Sequence, residues 1–215
     1  MPETLDHAEI GPKDALLVVD IQNDFCSGGA LGVPDGEMVV PLVNRLMPRF
    51  HLVVFTQDWH PAGHSSFASS HPGTKPFETI EMDYGAQILW PDHCMQGTDG
   101  AAFHKDLDTR PAAMIIRKGM RPAVDSYSAF FENDKKTITG LTAYLKSHGV
   151  TRVFIAGLAL DFCVRYSAED AVHEGFEVVL IDDACRAIDT DGSRADTLKS
   201  FEALGVKMIR TEDLR

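Results

Sequence analysis

The chain has 215 residues, of which 44% are hydrophobic and 24% are charged, and its formal net charge is −12 at pH 7. This length and composition indicate one large α/β domain that buries a substantial core. The acidic charge argues against a nucleic-acid partner, because no basic patch is present to neutralise phosphates, and it suits a neutral rather than an anionic substrate.

Neither a membrane span nor a secretion signal is visible in the sequence. No apolar run approaches the length needed to cross a bilayer, and residues 1–13 are polar and acidic, without the basic-then-apolar order of a signal peptide. The four cysteines form no CxxC pair; they are Cys26, Cys94, Cys163 and Cys185. We therefore expect reduced thiols and a cytoplasmic location. We also expect residues 1–13 to be flexible and the protein to be a monomer or a homo-oligomer.

Short apolar runs alternate with helical patterns along the chain. In chain order the patterns predict a strand at 15–20, a helix at 37–50, a strand at 51–57, a long irregular loop at 58–100, a strand at 114–118, a helix at 137–148, a strand at 151–156, a helix at 161–174, a strand at 177–181, a helix at 193–204 and a strand at 206–209. A loop as long as 58–100 inside a compact domain is usually functional. Gly149, Gly175 and Gly205 follow three of the helices and can cap them.

This alternation predicts the fold class. Apolar strands separated by helices indicate an α/β three-layer sandwich, with a six-stranded, mainly parallel sheet and helices on both faces. No internal repeat, low-complexity tract or linker interrupts the chain. We expect a single domain spanning residues 1–215.

Reactive residues lie where four of the predicted strands end. Asp20 ends the first strand, Asp58 the second and Lys118 the third, while Cys163 follows the fourth strand just inside the next helix. Ligands of open parallel sheets bind at the carboxyl ends of the strands. We therefore expect two carboxylates, an ammonium group and a thiol to converge at this edge.

Cys163 is the candidate nucleophile of this set. A helix N-terminus and the Lys118 ammonium would both favour its thiolate, and Asp20 could take the thiol proton and return it to a leaving group. Taken singly, the cysteine could be structural, the aspartate a loop cap and the lysine a solvent-exposed residue; their convergence favours the catalytic interpretation. Asp161 competes as the catalytic carboxylate, although its position better suits a helix N-cap.

A second constellation combines Asp58 and His60 with His93. Residues i and i+2 of an extended segment point to the same side, so Asp58 and His60 can share one ion, and His93 would add a ligand from the long loop. Two imidazoles and a carboxylate with open positions suit one divalent metal ion, either Zn²⁺, Fe²⁺ or Mn²⁺. A surface loop without metal is the alternative for the Asp58–His60 pair alone.

Six stretches between residue 14 and about residue 190 carry a further signal. They are VDIQNDFC at 19–26, TQDWHP at 56–61, LWPDHC at 89–94, RKG at 117–119, DSYSAFF at 125–131 and GLALDFCV at 157–164. In content and order they resemble the nicotinamidases among the isochorismatase-like cysteine hydrolases. The resemblance covers nearly the whole chain, and the Asp58, His60 and His93 set is what points to nicotinamidases within the larger family.

The resemblance implies a reaction and several site residues. The implied activity is hydrolysis of nicotinamide, and of the analogue pyrazinamide, to the acid and ammonia through a Cys163 thioester, in NAD salvage. Ala159 and Cys163 would form the oxyanion hole, with a cis peptide at Leu158–Ala159 aiming the Ala159 N–H. The residues implied to line the ring pocket are Phe25, Leu31, Trp90, Tyr127 and Leu158.

One position departs from the family pattern. Some members carry an additional metal ligand, a histidine, where this chain has Ser66, so the full ligand set stays open, with His64, Ser65 and His71 as further candidates. Rival functions also stay open: hydrolysis of another small amide or carbamoyl compound, a zinc-water hydrolase with Cys163 as bystander, an isochorismatase-type hydrolase, or a silent binding module.

Overall fold

A computed structural model describes all 215 residues and contains one central sheet and a hairpin. The strands are β1 (Asp14–Val19), β2 (Leu52–Asp58), β3 (Thr79–Met82), β4 (Gly85–Ile88), β5 (Met114–Lys118), β6 (Arg152–Leu158), β7 (Glu177–Arg186) and β8 (Lys207–Ile209). Six of them form the sheet in the spatial order β5-β2-β1-β6-β7-β8, and every neighbouring pair is parallel. The predicted α/β class is confirmed.

Helices cover both faces of the sheet. The helix α1 (Val40–Leu46) packs on one face, and α2 (Leu141–Ser147), α3 (Arg165–His173) and α4 (Ser193–Leu204) pack on the other. Alternate residues of β1 serve the two layers: Leu16 and Val18 join the core under α1, while Leu17 joins the core under the other three helices. Burial on both faces explains why the strands have continuous apolar runs.

The order in which successive strands are added to the sheet reverses between β1 and β6. From β1 it builds outward through β2 to β5, then returns to place β6 on the other side of β1. The two strands lie so close that a Cβ built on Gly157 would be 2.1 Å from the Val19 carbonyl oxygen, and Gly157 has φ +127°. Such a switch point opens a crevice at the carboxyl ends of the strands, which is where ligands bind in this class.

Several element boundaries differ from the sequence-based expectation. The 37–50 segment is a short α-helix between two 3₁₀ turns, Gly36–Val39 and Met47–Arg49, because prolines at positions 41 and 48 restrict the backbone. The α2 helix begins only at residue 141, since Ile138 pairs with Phe131 and Gly140 adopts φ +97°. The β3–β4 hairpin inside the long 58–100 loop was not predicted.

Backbone hydrogen bonds tie residues 1–13 to the end of the chain, while the expectation that this segment is flexible stays a prediction. The Leu5 N–H donates to the Met208 carbonyl at 2.8 Å, Ala8 N–H to Asp213 at 3.1 Å, and Ile10 N–H to Arg215 at 2.9 Å. These bonds align the segment beside the last strand and the chain end. Among the helices, none has both the length and the apolar character that a membrane crossing requires.

Candidate active site

Lys118 is the centre of the site at the switch point. Its Nζ lies 2.8 Å from Asp20 Oδ2, 2.6 Å from Asp58 Oδ1 and 3.4 Å from Cys163 Sγ, and it donates to the Ser126 carbonyl at 2.9 Å. Register explains part of this, because Asp58 and Lys118 are paired neighbours on β2 and β5. The structure thus brings together the four reactive residues that the sequence placed at this edge.

Asp20 is held by a residue that the sequence analysis missed. Thr56 Oγ1 donates to Asp20 Oδ1 at 2.6 Å, and the Asp20 N–H donates back to the same hydroxyl at 3.1 Å. Asp20 has φ +46°, so this reciprocal pair also secures an uncommon backbone conformation. The other oxygen, Oδ2, has the Lys118 ammonium as its ion-pair partner at 2.8 Å.

Burial sets the charge states of the catalytic candidates. It raises the pKa of the Asp20 carboxyl despite the nearby Lys118, and it raises the pKa of the Cys163 thiol well above its ordinary range. For Lys118 burial acts to lower the pKa, but Asp20 and Asp58 outweigh it and the pKa is raised. Burial therefore works against the thiolate that the sequence analysis expected, and it makes Asp20 a stronger proton acceptor than an ordinary aspartate.

The predicted metal ligands lie together beside this cluster. His60 Nε2 is 3.2 Å and His93 Nε2 is 3.5 Å from Asp58 Oδ2, and all three side chains are buried. Each histidine donates its Nδ1–H to a carbonyl, His60 to Gly119 at 2.9 Å and His93 to Pro91 at 2.8 Å. This directs the other ring nitrogen of each histidine, Nε2, toward the Asp58 carboxylate, the arrangement that a metal-binding pair of histidines adopts.

Gly119 makes room for this arrangement. It has φ +66°, and a Cβ at this position would lie 2.4 Å from the His60 ring carbon Cε1. A side chain there would displace the ring whose Nδ1 the Gly119 carbonyl binds. The donor set of two imidazoles and one carboxylate fits a divalent metal ion.

The further ligand candidates have other partners. His71 Nε2 donates to the Ser65 carbonyl at 2.7 Å, and Ser66 Oγ lies 2.7 Å from His64 Nδ1. The Ser66 N–H also lies 3.2 Å from His64 Nδ1. Together with His60 and Asp125, His64 belongs to a second buried group of possible metal ligands, so its place in the ligand set stays a prediction.

A mainly apolar cavity adjoins both sets of residues. Its lining comprises Phe25, Leu31, Asp58, Trp90, His93, Asp125, Tyr127, Ala159, Phe162, Cys163 and Ile188. Four of the five implied ring-pocket residues are therefore present. Leu158 is the exception and a correction: it is fully buried in the core, with its Cδ1 near Gly36, because successive side chains of a strand alternate between faces.

The hairpin holds one wall of this cavity through Gln87. Its Nε2 donates to Asp125 Oδ2 and lies 2.9 Å from the Tyr127 hydroxyl, while its Oε1 accepts from Asn133 at 3.2 Å. The Tyr127 hydroxyl also accepts the Trp90 Nε1–H at 3.1 Å. Gln87, Asp125, Phe162 and Ile188 were not predicted as site residues, although Asp125 lies in the DSYSAFF stretch and Phe162 in the GLALDFCV stretch.

The turn after β6 carries Cys163. The Leu158–Ala159 peptide is cis, as the resemblance implied, and Leu160–Val164 forms a π-type turn before α3. Ala159 and Cys163 both border the cavity. Asp161 does not cap this helix, as the sequence suggested, because its carboxylate binds a distant loop at residues 188–193.

Comparison with known proteins identifies the family. The model of the isochorismatase domain matches residues 14–213. A nicotinamidase of Acinetobacter baylyi is 48% identical over 200 residues, which cover 93% of this chain and 94% of that protein. The chain belongs to the isochorismatase family.

Solved structures in this family have the same architecture. A nicotinamidase/pyrazinamidase of Acinetobacter baumannii superimposes with a TM-score of 0.93 at 51% identity, covering 94% of this chain and 98% of that one. A pyrazinamidase of Pyrococcus horikoshii in complex with zinc superimposes with a TM-score of 0.75 at 38% identity, covering 93% of this chain and 99% of that one. The isochorismatase-family chain described here is therefore similar over nearly its whole length to enzymes that hydrolyse amides.

Proposed function

We propose that this isochorismatase-family chain hydrolyses nicotinamide to nicotinic acid and ammonia, and accepts pyrazinamide as an analogue. The observation that carries the proposal is the cavity, which is lined both by the thiol of Cys163 and by two of the metal-ligand candidates, Asp58 and His93. A substrate there can present an amide to the thiol and a ring nitrogen to a metal. The names of the similar proteins support this substrate.

The chain's own residues supply the covalent chemistry. Cys163 Sγ attacks the amide carbon while its proton passes to Asp20, and the N–H groups of Ala159 and Cys163 stabilise the oxyanion. Asp20 then protonates the leaving nitrogen, ammonia departs, and a thioester remains. A water molecule that gives its proton to Asp20 attacks the thioester, releases the acid and restores the thiol. Lys118 keeps Asp20 oriented throughout, from 2.8 Å.

Asp58, His60 and His93 would hold one divalent ion, either Zn²⁺, Fe²⁺ or Mn²⁺. When bound, such an ion supplies a Lewis-acidic docking point for a ring nitrogen. Phe25, Leu31 and Trp90 contribute apolar and aromatic surface to the ring pocket. A carbamoyl or ureido substrate has no ring nitrogen and would leave the buried metal ligands without a role.

We further infer a cytoplasmic role in NAD salvage, since nicotinic acid is the product. The four cysteines are all free thiols, which agrees with a reducing compartment. The oligomeric state stays a prediction of monomer or homo-oligomer.

The test is ammonia release from nicotinamide by the purified chain, beside Cys163→Ala and an EDTA-treated sample. Cys185→Ala is the matched control, because Cys185 is an equally buried thiol that does not line the cavity. We expect no turnover from Cys163→Ala, near-normal turnover from Cys185→Ala, and loss on chelation that metal restores. Turnover that survives removal of Cys163 would favour the zinc-water mechanism, and no ammonia from metal-loaded wild type would exclude nicotinamide.

A further inference from the structure

Asp161 occupies an unusual position beside the nucleophile. It lies in the turn between Ala159 and Cys163 and is almost fully buried, with 1% of its surface exposed. Its carboxylate accepts the Ile188 N–H at 3.0 Å on one oxygen, and the Asp189 N–H at 2.7 Å and the Ser193 hydroxyl at 2.5 Å on the other. All three donors come from one segment, residues 187–193, which comprises the loop after β7 and the first residue of α4.

This loop separates two spaces. Ile188 lines the cavity that Cys163 and Ala159 also line, and it borders a wide open cleft on the protein surface together with Asp183, Ala187 and Asp189. Two of the other lining residues, Phe25 and Trp90, are more deeply buried, at 4% and 3% exposed. The loop is therefore the partition between the ring pocket and solvent on this side.

The loop conformation depends on external support. Asp189, Asp191 and Gly192 all have positive φ, at +57°, +52° and +82°. Left-handed conformations at two non-glycine residues are costly unless surrounding contacts stabilise them. The Asp161 carboxylate provides three such contacts to this stretch.

We propose that Asp161 is a positioning residue, whose carboxylate fastens the 187–193 loop to the turn bearing Cys163 and so holds Ile188 as the wall that sets the size of the ring pocket. Loss of this contact would let Ile188 move outward. The pocket would then accept a ring with an added substituent, and Cys163 would become more accessible. The substrate comparison rests on the proposed function, whereas the accessibility of Cys163 does not.

The variant Asp161→Asn tests this with a minimal change of shape. The Ile188 and Asp189 N–H groups bond to different oxygens of Asp161, so in the amide one of them would face an NH2 group in place of an acceptor. Asp183→Asn is the matched control, because Asp183 likewise fastens a segment by accepting the Thr211 N–H and hydroxyl, at 2.8 and 2.6 Å, and borders the same outer cleft. Ile188→Ala opens the wall directly while leaving Asp161 intact.

Two quantities are measured, with thermal unfolding recorded for each variant. The first is kcat/KM for 5-methylnicotinamide relative to nicotinamide, which should rise about tenfold in Asp161→Asn and in Ile188→Ala, the range expected for one methyl group in an apolar pocket. The double variant should show little further gain, since both changes remove the same wall. The second is the rate at which iodoacetamide alkylates Cys163, followed by peptide mass mapping, which should rise in Asp161→Asn and stay at the wild-type rate in Asp183→Asn.

An equal fall in kcat/KM for both amides, with unchanged alkylation, would overturn the proposal and make Asp161 a general stability residue. The same rise in relative kcat/KM and in the alkylation rate of Cys163 in Asp183→Asn would also overturn the proposal. If wild type releases no ammonia from nicotinamide, alkylation alone decides the outcome. If Asp161→Asn does not fold, Ser193→Ala removes one of the three donors and is judged by the same two measurements.

Discussion

At Lys118 a single buried ammonium group contacts two carboxylates, Asp20 at 2.8 Å and Asp58 at 2.6 Å. Lys118→Met would leave both carboxylates buried without their cation. We expect the free energy of unfolding, measured by urea denaturation, to fall by about 3–5 kcal/mol. The control is Lys135→Met, which removes a half-exposed ammonium from Asp170 and should cost less than about 1 kcal/mol. An equal decrease in the free energy of unfolding of the two variants would mean that Lys118 stabilises the fold no more than a half-exposed lysine does.

The histidines of the long loop differ in what they can bind. His93 directs Nε2 toward Asp58, whereas His71 uses its Nε2 on the Ser65 carbonyl. His93→Ala should therefore lose most of its bound metal, by at least about tenfold in affinity, and His71→Ala should keep it. Metal content after dialysis, measured by inductively coupled plasma mass spectrometry, checks both. Retention of metal by His93→Ala would remove this residue from the ligand set.

At the scale of elements, the crossing of β1 and β6 depends on one position without a side chain. Gly157 and Gly175 both have positive φ, but a Cβ on Gly157 would meet Val19 backbone atoms, whereas nothing lies within 4 Å of one on Gly175. Gly157→Ala should lower the free energy of unfolding by about 3 kcal/mol or more, and Gly175→Ala by about 1 kcal/mol. Equal midpoints in thermal or urea unfolding would contradict the close strand approach.

The strands could be predicted from sequence better than the turns and the hairpin. β1 (DALLVV) and β5 (MIIRK) are short segments that consist mainly of apolar residues, so their composition and length are enough to predict strands. The β3–β4 hairpin has mostly exposed or half-buried residues, and its stability comes from Gln87 contacts with distant residues. Tertiary contacts of this kind leave no local pattern.

For the whole molecule, burial of all four thiols has a measurable consequence. Burial, with the Glu37 carboxylate adding to it, raises the pKa of Cys26 to about 11, and burial raises the pKa values of Cys94, Cys163 and Cys185 as well. At about pH 8 the thiolate fraction of Cys26 is then about one in a thousand. We expect Ellman's reagent to react slowly with the native protein and to count four thiols after denaturation in guanidinium. Fewer than four in the unfolded state would reveal a disulfide.

The site was predictable where the topology alone brings residues together. Asp58 and Lys118 end strands of a parallel sheet, and Asp20 and Cys163 follow strands of it, so their convergence follows from the fold class. Gln87 and Ile188 reach the site by contacts between segments far apart in sequence, and no spacing rule identifies them. Thr56, by contrast, lies two residues before Asp58 on β2. Leu158 adjoins a site residue, yet alternation along β6 turns its side chain into the core.

The position of β1 between β2 and β6 also governs when the protein can become active during synthesis. β1 pairs with β6 over residues 14–19 and 152–157, so this central strand leaves the ribosome well before its second neighbour exists. At typical translation speeds the interval is on the order of ten seconds. Throughout that time an apolar strand has an unpaired edge, and the thiol of Cys163 has not been made. A chaperone that shields this edge would therefore act before Cys163 can join Asp20 and Lys118, and a nascent chain that does not yet include Cys163 is inactive.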